Sequence, residues 1–197
     1  MNLNYEFAHV PIQDYLEGEL VSAIKHEYID GQVYAMAGAS SSHNRICANL
    51  TREFGNHLRH TPCEVFASAM KVRVADDFFY PDVLVACHHK GNDYGVADSP
   101  LIIVEVLSKA TRKIDHTLKR KAYQSLASVQ EYVLIEQEFA DVEVCRRRNH
   151  WQPEHYFLGD EVVFESIDVR LPVATLYERV ENEDVLSYLR ILQENSA

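Results

Sequence analysis

No stretch of ~18 apolar residues runs unbroken through the 197 residues, and no basic segment leads into an apolar one near the start. Neither a membrane span nor a secretory leader is therefore expected, and a cytoplasmic location is. The cysteines form no CxxC pair. Cys47, Cys63, Cys87 and Cys145 lie far apart, which predicts reduced core thiols rather than a disulfide frame or a zinc knuckle. His57, His60 and Cys63 have no fourth ligand at usable spacing, and Pro62 breaks the helix between them. Glycine and proline are sparse, at 7 and 6 residues, and neither a P-loop nor a dinucleotide-binding glycine pattern occurs, so no organic cofactor is signalled. Positive charge is also short. With 19 Lys and Arg against 30 Asp and Glu, the formal net charge is −11, which argues against indiscriminate coating of nucleic acid, whose affinity depends on neutralised phosphates.

What is present is an ordinary globular composition, 47% apolar and 25% charged. The length fits one domain over residues 1–197, with a core at about 5–180 and a helical tail at about 181–197. The pattern predicts a short helix in "PIQDYLEGE", then a hairpin turning at Asp30-Gly31. A long helix follows, capped by serines, with Ile46, Leu50, Phe54 and Leu58 at every fourth position. Two apolar strands come next, Val83 to Cys87 and Leu101 to Val106, and then a helix over 111–126. "EYVLIE", "VEVCRRR", "WQPEHYF" and "VVFES" read as further strands, and Thr175 to Val180 and Val185 to Gln193 as weaker helices. The order implies an α/β (α+β) fold with a mixed sheet and helices packed on it.

Charge within the chain is uneven. Residues 109 to 121 carry six bases (Lys109, Arg112, Lys113, Lys119, Arg120, Lys121) and one acid, Asp115, whereas nine acids and three bases run from Asp160 to the end. Two carboxylates stand beside strands that read as buried: Asp82 opens one and Glu105 lies near the end of the other. Isolated carboxylates are costly there, so each needs a cation, a proton or a metal. On a helical wheel of ~100° per residue, Ile114, Leu118, Ala122 and Leu126 define the expected buried face, with Asp115 and Lys119 inside or beside it. Asp82, Glu105 and Lys119 can then meet at the strand ends. Two oxygen ligands and a nearby ammonium suit a hard ion, Mg²⁺ or Mn²⁺, and the chemistry that uses such a set is phosphodiester hydrolysis.

These residues carry a resemblance. "HEYIDGQVYAM" at 26–36, His43 in the long helix, "YPDVLV" at 80–85, "VEVLSKATRKID" at 104–115, Lys119, Tyr123 and "VQEYVLIE" at 129–136 resemble, in order and spacing, the Uma family of restriction-type endonucleases, a branch of the PD-(D/E)xK nuclease superfamily. The resemblance implies a restriction-endonuclease-like core, a central mixed β-sheet flanked by helices, with Asp82 and Glu105 as metal ligands and DNA as the substrate. Leu107 occupies the superfamily's usual lysine position, and the family's lysine from the following helix corresponds here to Lys119. Glu27 matches a third acid and is the further metal ligand expected. His43, Asp115 and Arg112 are supporting candidates, Asp115 as a partner that orients Lys119 or Arg112.

Plainer readings stand beside these. Asp82 can be a turn residue after Pro81, and Glu105 can form a metal-free ion pair with Lys119. His43 can be a local helix-start residue. "CRRRNHW" reads either as phosphate-contacting or as an edge-strand guard. Two functions follow: a metal-dependent endonuclease whose bases at 109–121 guide the phosphate backbone, and a silent scaffold or binding module holding the same groups as an ion-pair network. Restriction-type folds like the one resembled often pair to cut two strands, so a homodimer or higher homo-oligomer is an expected assembly.

Overall fold

The computed structural model describes residues 9–36, 38–92, 94–97 and 99–195, so the first residues of the expected core and the last two of the tail lie outside the described residues. Its central layer is a six-stranded sheet in the order β10-β9-β8-β7-β6-β3. The strands are β3 (Cys63–Ala67), β6 (Val83–Cys87), β7 (Pro100–Leu107), β8 (Glu131–Glu136), β9 (Val142–Arg146) and β10 (Pro153–Tyr156). The sheet is mixed because β7 and β8 run parallel while every other neighbouring pair is antiparallel. β7 and β8 are covered on both faces, which accounts for their near-continuous Val, Ile and Leu.

One face carries α2 (Ser41–His57), whose Ile46, Leu50 and Phe54 are fully buried and pack with Val83, Val85, Val104, Val106 and Val133. Phe54 meets Phe164 edge to face, ring centroids 4.7 Å apart. Over this side also lie the two-stranded ribbon of β11 (Glu161–Phe164) and β12 (Val169–Pro172) and the short α5 (Val173–Leu176). Ser40 caps α2: its hydroxyl accepts from the His43 amide at 3.0 Å. Ser40→Ala is expected to cost ~1 kcal/mol, read as a shift in urea midpoint at constant slope, because it frees that donor at the turn that carries His43.

The other face packs Leu84, Ile103, Leu107 and Leu134 against Tyr123 and against Val72, Val74 and Phe79. Here the single sheet expected from the sequence is supplemented. A four-stranded sheet, in the order β2-β1-β5-β4, forms from β1 (His26–Ile29), β2 (Gln32–Ala35), β4 (Val72–Val74) and β5 (Asp77–Phe79). The Asp30-Gly31 hairpin joins β1 to β2 with both turn residues at positive φ, 49° and 76°, the twist a two-residue loop needs. α1 (Ile12–Val21) packs Tyr15 and Leu16 on Tyr28 and Phe78 of this sheet. α6 (Glu183–Glu194) anchors to the core through Val185.

Two expectations change. Cys63 and Cys87 are joined by a disulfide, while Cys47 and Cys145 are the buried free thiols. The antiparallel β3–β6 register sets Cys63 directly opposite Cys87, a neighbourhood that sequence separation hides. The helix over 111–126 is also not uniform. It runs as α3 (Arg112–Ile114), a π-helical turn (Asp115–Lys119) and α4 (Arg120–Ser125). The wider turn disturbs an ideal 100° wheel, and Ile114 and Leu118, assigned to the buried face, are 43% and 41% exposed, whereas Asp115, Lys119 and Tyr123 face inward.

Candidate active site

Asp82 stands just before β6, and Glu105 lies within β7. Because Val83 pairs with Val104, the next rung outward sets Asp82 level with Glu105, and the two-residue periodicity puts both on the face of Leu84, Ile103 and Leu107. The Asp82 carboxylate is fixed by two donors on one oxygen: the Val106 amide donates to Oδ2 at 2.8 Å, and His43 Nε2 lies 3.1 Å from the same atom. A carboxylate accepts, so the ring proton sits on Nε2. At the ring's other nitrogen, Cys47 Sγ is 3.6 Å from Nδ1. Burial, with smaller contributions from Asp82 and Glu105, pushes the Cys47 thiol far above its ordinary value, so it is protonated and donates to Nδ1.

Lys119 arrives from the π turn. Its Nζ is 2.8 Å from Glu27 Oε1, 3.1 Å from Glu105 Oε1 and 3.6 Å from Asp115 Oδ1. The Tyr123 hydroxyl donates to Glu105 Oε1 at 3.0 Å, one turn further along the helix. Glu27, on β1, accepts the Tyr80 amide on Oε1 at 3.1 Å. The Tyr132 hydroxyl donates to the Asp115 main-chain oxygen at 2.9 Å, which ties the π turn to β8. Burial holds Glu105 well above the usual carboxylate range; Lys119 opposes the shift, and Asp115, Asp82 and Glu27 add to it. Asp115 is raised for the same first cause, burial. Burial alone would depress Lys119, but Glu105, Glu27 and Asp115 outweigh it and keep the ammonium charged.

This arrangement fits a hard cation. Three carboxyl groups (Glu27, Glu105, Asp115) surround one ammonium, with Asp82 near enough to Glu105 to act on its charge, and buried Asp115 Oδ1 has no hydrogen-bond partner. Among the described residues, the hydrogen bonds to Asp82 gather on Oδ2, and those to Glu27 and Glu105 gather on Oε1, leaving each second oxygen without a protein donor. The ligand-competent atoms that converge most tightly, within 4.8 Å of one another, are nevertheless those of His43, Cys47 and Asp82. Cys47 was not singled out from the sequence, although its i, i+4 spacing from His43 on one helix face is a readable signal.

Other expected members lie elsewhere. Arg112 pairs with Glu136 and approaches Glu138, not Asp115, because its side chain points to the end of β8. Lys109 binds Glu138 and Arg120 binds Glu143, so with Lys119 buried, four of the six bases at 109–121 are already held by acids. The arginines of "CRRRNHW" are neither a phosphate patch nor an edge guard. Arg146 is buried between Glu131 and Glu154, Arg147 donates to main-chain oxygens of Val129, Gln124 and Leu126, and Arg148 pairs with Glu165. β9 is not an edge, since β10 covers it.

The profile of the Uma2 family, described as "Putative restriction endonuclease", matches residues 12–174. The chain belongs to the Uma2 family. Two Synechocystis proteins are similar to this chain. "Uncharacterized protein slr1290" is 30% identical over 176 residues, covering 87% of this chain and 93% of its own, and "Uncharacterized protein sll1609" is 31% identical over 163 residues, covering 79% and 89%. Among solved structures, the crystal structure of "a putative nuclease belonging to DUF820" from Anabaena variabilis superposes with a TM-score of 0.67 over 87% of this chain and 99% of that one, at 18% identity. At that identity the likeness establishes a shared fold. The Uma2 match spans the elements that carry Glu27, His43, Asp82, Glu105 and Lys119.

Proposed function

We propose that this Uma2 protein is a metal-dependent endonuclease that hydrolyses phosphodiester bonds in DNA, with Asp82 and Glu105 holding Mg²⁺ or Mn²⁺, Glu27 beside them and Lys119 assisting the attack. The observation that carries this reading is the shared face of Asp82 and Glu105 at adjacent strand ends, with the Lys119 ammonium 3.1 Å from Glu105. When bound, the ion polarises water and offsets the charge that builds on the phosphate.

The chain's own residues prepare that step. Val106 and His43 fix the Asp82 carboxylate through Oδ2, and Tyr123 and Lys119 fix Glu105 through Oε1. Lys119 supplies the positive charge that the superfamily pattern places at the position of Leu107, a residue here only 1% exposed and committed to the core. As a long, flexible ammonium it can turn from Glu27 toward a phosphate oxygen or an attacking water.

Mn²⁺ titration by calorimetry, on wild type and on Asp82→Ala, tests the site without a choice of substrate. The expected result is binding by wild type that the variant loses, together with loss of Mn²⁺-dependent cleavage of duplex DNA. A folded Asp82→Ala protein that cuts as well as wild type would sink the assignment.

The second reading, a silent scaffold, draws on one observation: Lys119 is buried and already engaged by three carboxylates. Under it, saturating Mn²⁺ leaves the wild-type Tm unchanged. A real site would raise stability by mass action, ~2.7 kcal/mol at a hundred times Kd.

A further inference from the structure

The nuclease reading uses Asp82 but leaves Cys47 without a task and gives His43 only the work of orienting Asp82. Both stand on α2, four residues apart, so they present one imidazole and one thiol from the same helix face. Their ligand atoms and the Asp82 carboxylate all lie within 4.8 Å of one another, which no other group of three such side chains does among the described residues. The set is partly open. The side chains of His43 and Asp82 are 12% and 14% exposed, so solvent can supply a further ligand.

We propose that His43, Cys47 and Asp82 form a second metal site, which shares Asp82 with the carboxylate site and is selective for a softer divalent ion of the Zn²⁺ or Co²⁺ class. A thiolate and an imidazole discriminate in that direction, whereas Mg²⁺ takes oxygen ligands. Three protein ligands plus an open position match catalytic-type rather than structural zinc coordination. The His43–Asp82 separation suits one ion, and Cys47 Sγ, 3.6 Å from Nδ1 of the same ring, turns toward that ion on binding. Metal–ligand distances of about 2.0 to 2.2 Å at tetrahedral angles place two N or O ligands roughly 3.3 Å apart, and His43 Nε2 and Asp82 Oδ2 are 3.1 Å apart.

Binding exchanges the Cys47–His43 hydrogen bond for two bonds to the ion. The thiol proton leaves to solvent and the sulfur keeps the electron pair it donates, while the imidazole proton passes from Nε2 to Nδ1, the nitrogen the thiol releases, so that Nε2 is free to ligate. Burial disfavours the thiolate without an ion, and a divalent charge beside the sulfur reverses that preference. Since Asp82 belongs to both sites, a soft ion on His43 and Cys47 withdraws that carboxylate from the hard-ion site. The proposal goes beyond the nuclease reading and does not require cleavage.

The test is Co²⁺ titration of the full chain, followed by absorbance. Expected is a sulfur-to-cobalt charge-transfer band in the near ultraviolet, with tetrahedral d–d bands in the visible, saturating at one equivalent. Cys47→Ser should abolish the charge-transfer band while circular dichroism shows a folded protein. His43→Gln, at a partly exposed position, should weaken Co²⁺ at least about tenfold and serves if the serine variant fails to fold. Glu105→Gln should leave the band intact, although it removes a ligand of the hard-ion site. Absence of the band in wild type overturns the proposal, as does its survival in Cys47→Ser, which would trace the sulfur to another cysteine. Its loss in Glu105→Gln would overturn it too. Because Mn²⁺ binding and cleavage are read separately, a nuclease that gives no cobalt–sulfur band and a cobalt site without nuclease activity are distinguishable outcomes.

Discussion

Lys119→Met, in metal-free buffer, is expected to lose ~3–5 kcal/mol of stability, the range for removing one partner of a buried ion pair. Methionine keeps the apolar stem but not the ammonium. Glu27, Glu105 and Asp115 then face one another across a buried site with no cation among them. Burial already raises Glu105 and Asp115, so without Lys119 the cheapest response is to take up protons, and the loss should be smaller at acid pH than at neutral. Urea unfolding at two pH values reads this. Mn²⁺ should return part of the lost stability if the carboxylates hold a metal, and none if they form an ion-pair network only. A variant within ~1 kcal/mol of wild type would show that the ammonium is not their counter-ion.

That expectation could be stated from sequence only in outline. The apolar runs around Asp82 and Glu105 made both strands legible, and the order of elements pointed to the central mixed sheet. Lys119 was legible because a wheel around Ile114 placed it near the inward side. The same wheel misplaced Ile114 and Leu118, since a π turn is invisible in a pattern read at constant pitch. Tyr123 appeared as part of the family pattern, but its hydrogen bond to Glu105 depends on how the π turn delivers α4 to the sheet.

Non-local pairing hid the rest. Cys63 meets Cys87 only once β3 lies antiparallel on β6, and Glu27 reaches Lys119 from a separate four-stranded sheet. The basic run at 109–121 suggested a phosphate track because sequence shows cations and not their partners. Glu136, Glu138 and Glu143 come from β8, the segment after it and β9 to meet them. Cys47 escaped because a thiol inside an amphipathic helix reads as core, and only its distance to His43 and Asp82 gives it another role.

Glu105→Gln is expected to lower metal-dependent DNA cleavage by at least about 10²-fold, comparable to deleting one preorganised electrostatic group at a reacting centre. Its effect on stability should be small. Lys119 retains Glu27 and Asp115, the amide oxygen can still accept from Tyr123 and Lys119, and a buried charge that burial disfavours is removed. The measurements are single-turnover cleavage with Mn²⁺ and urea unfolding of the same preparation. Loss of cleavage with stability retained places Glu105 in the reaction rather than in the framework. A large loss of stability with no metal response in the wild type would favour the scaffold reading, because Glu105 would then matter to Lys119 alone. The asymmetry with Lys119→Met follows from counting partners: one ammonium serves three carboxylates, so losing the cation is expected to cost more stability than losing one carboxylate, which can be spared for chemistry.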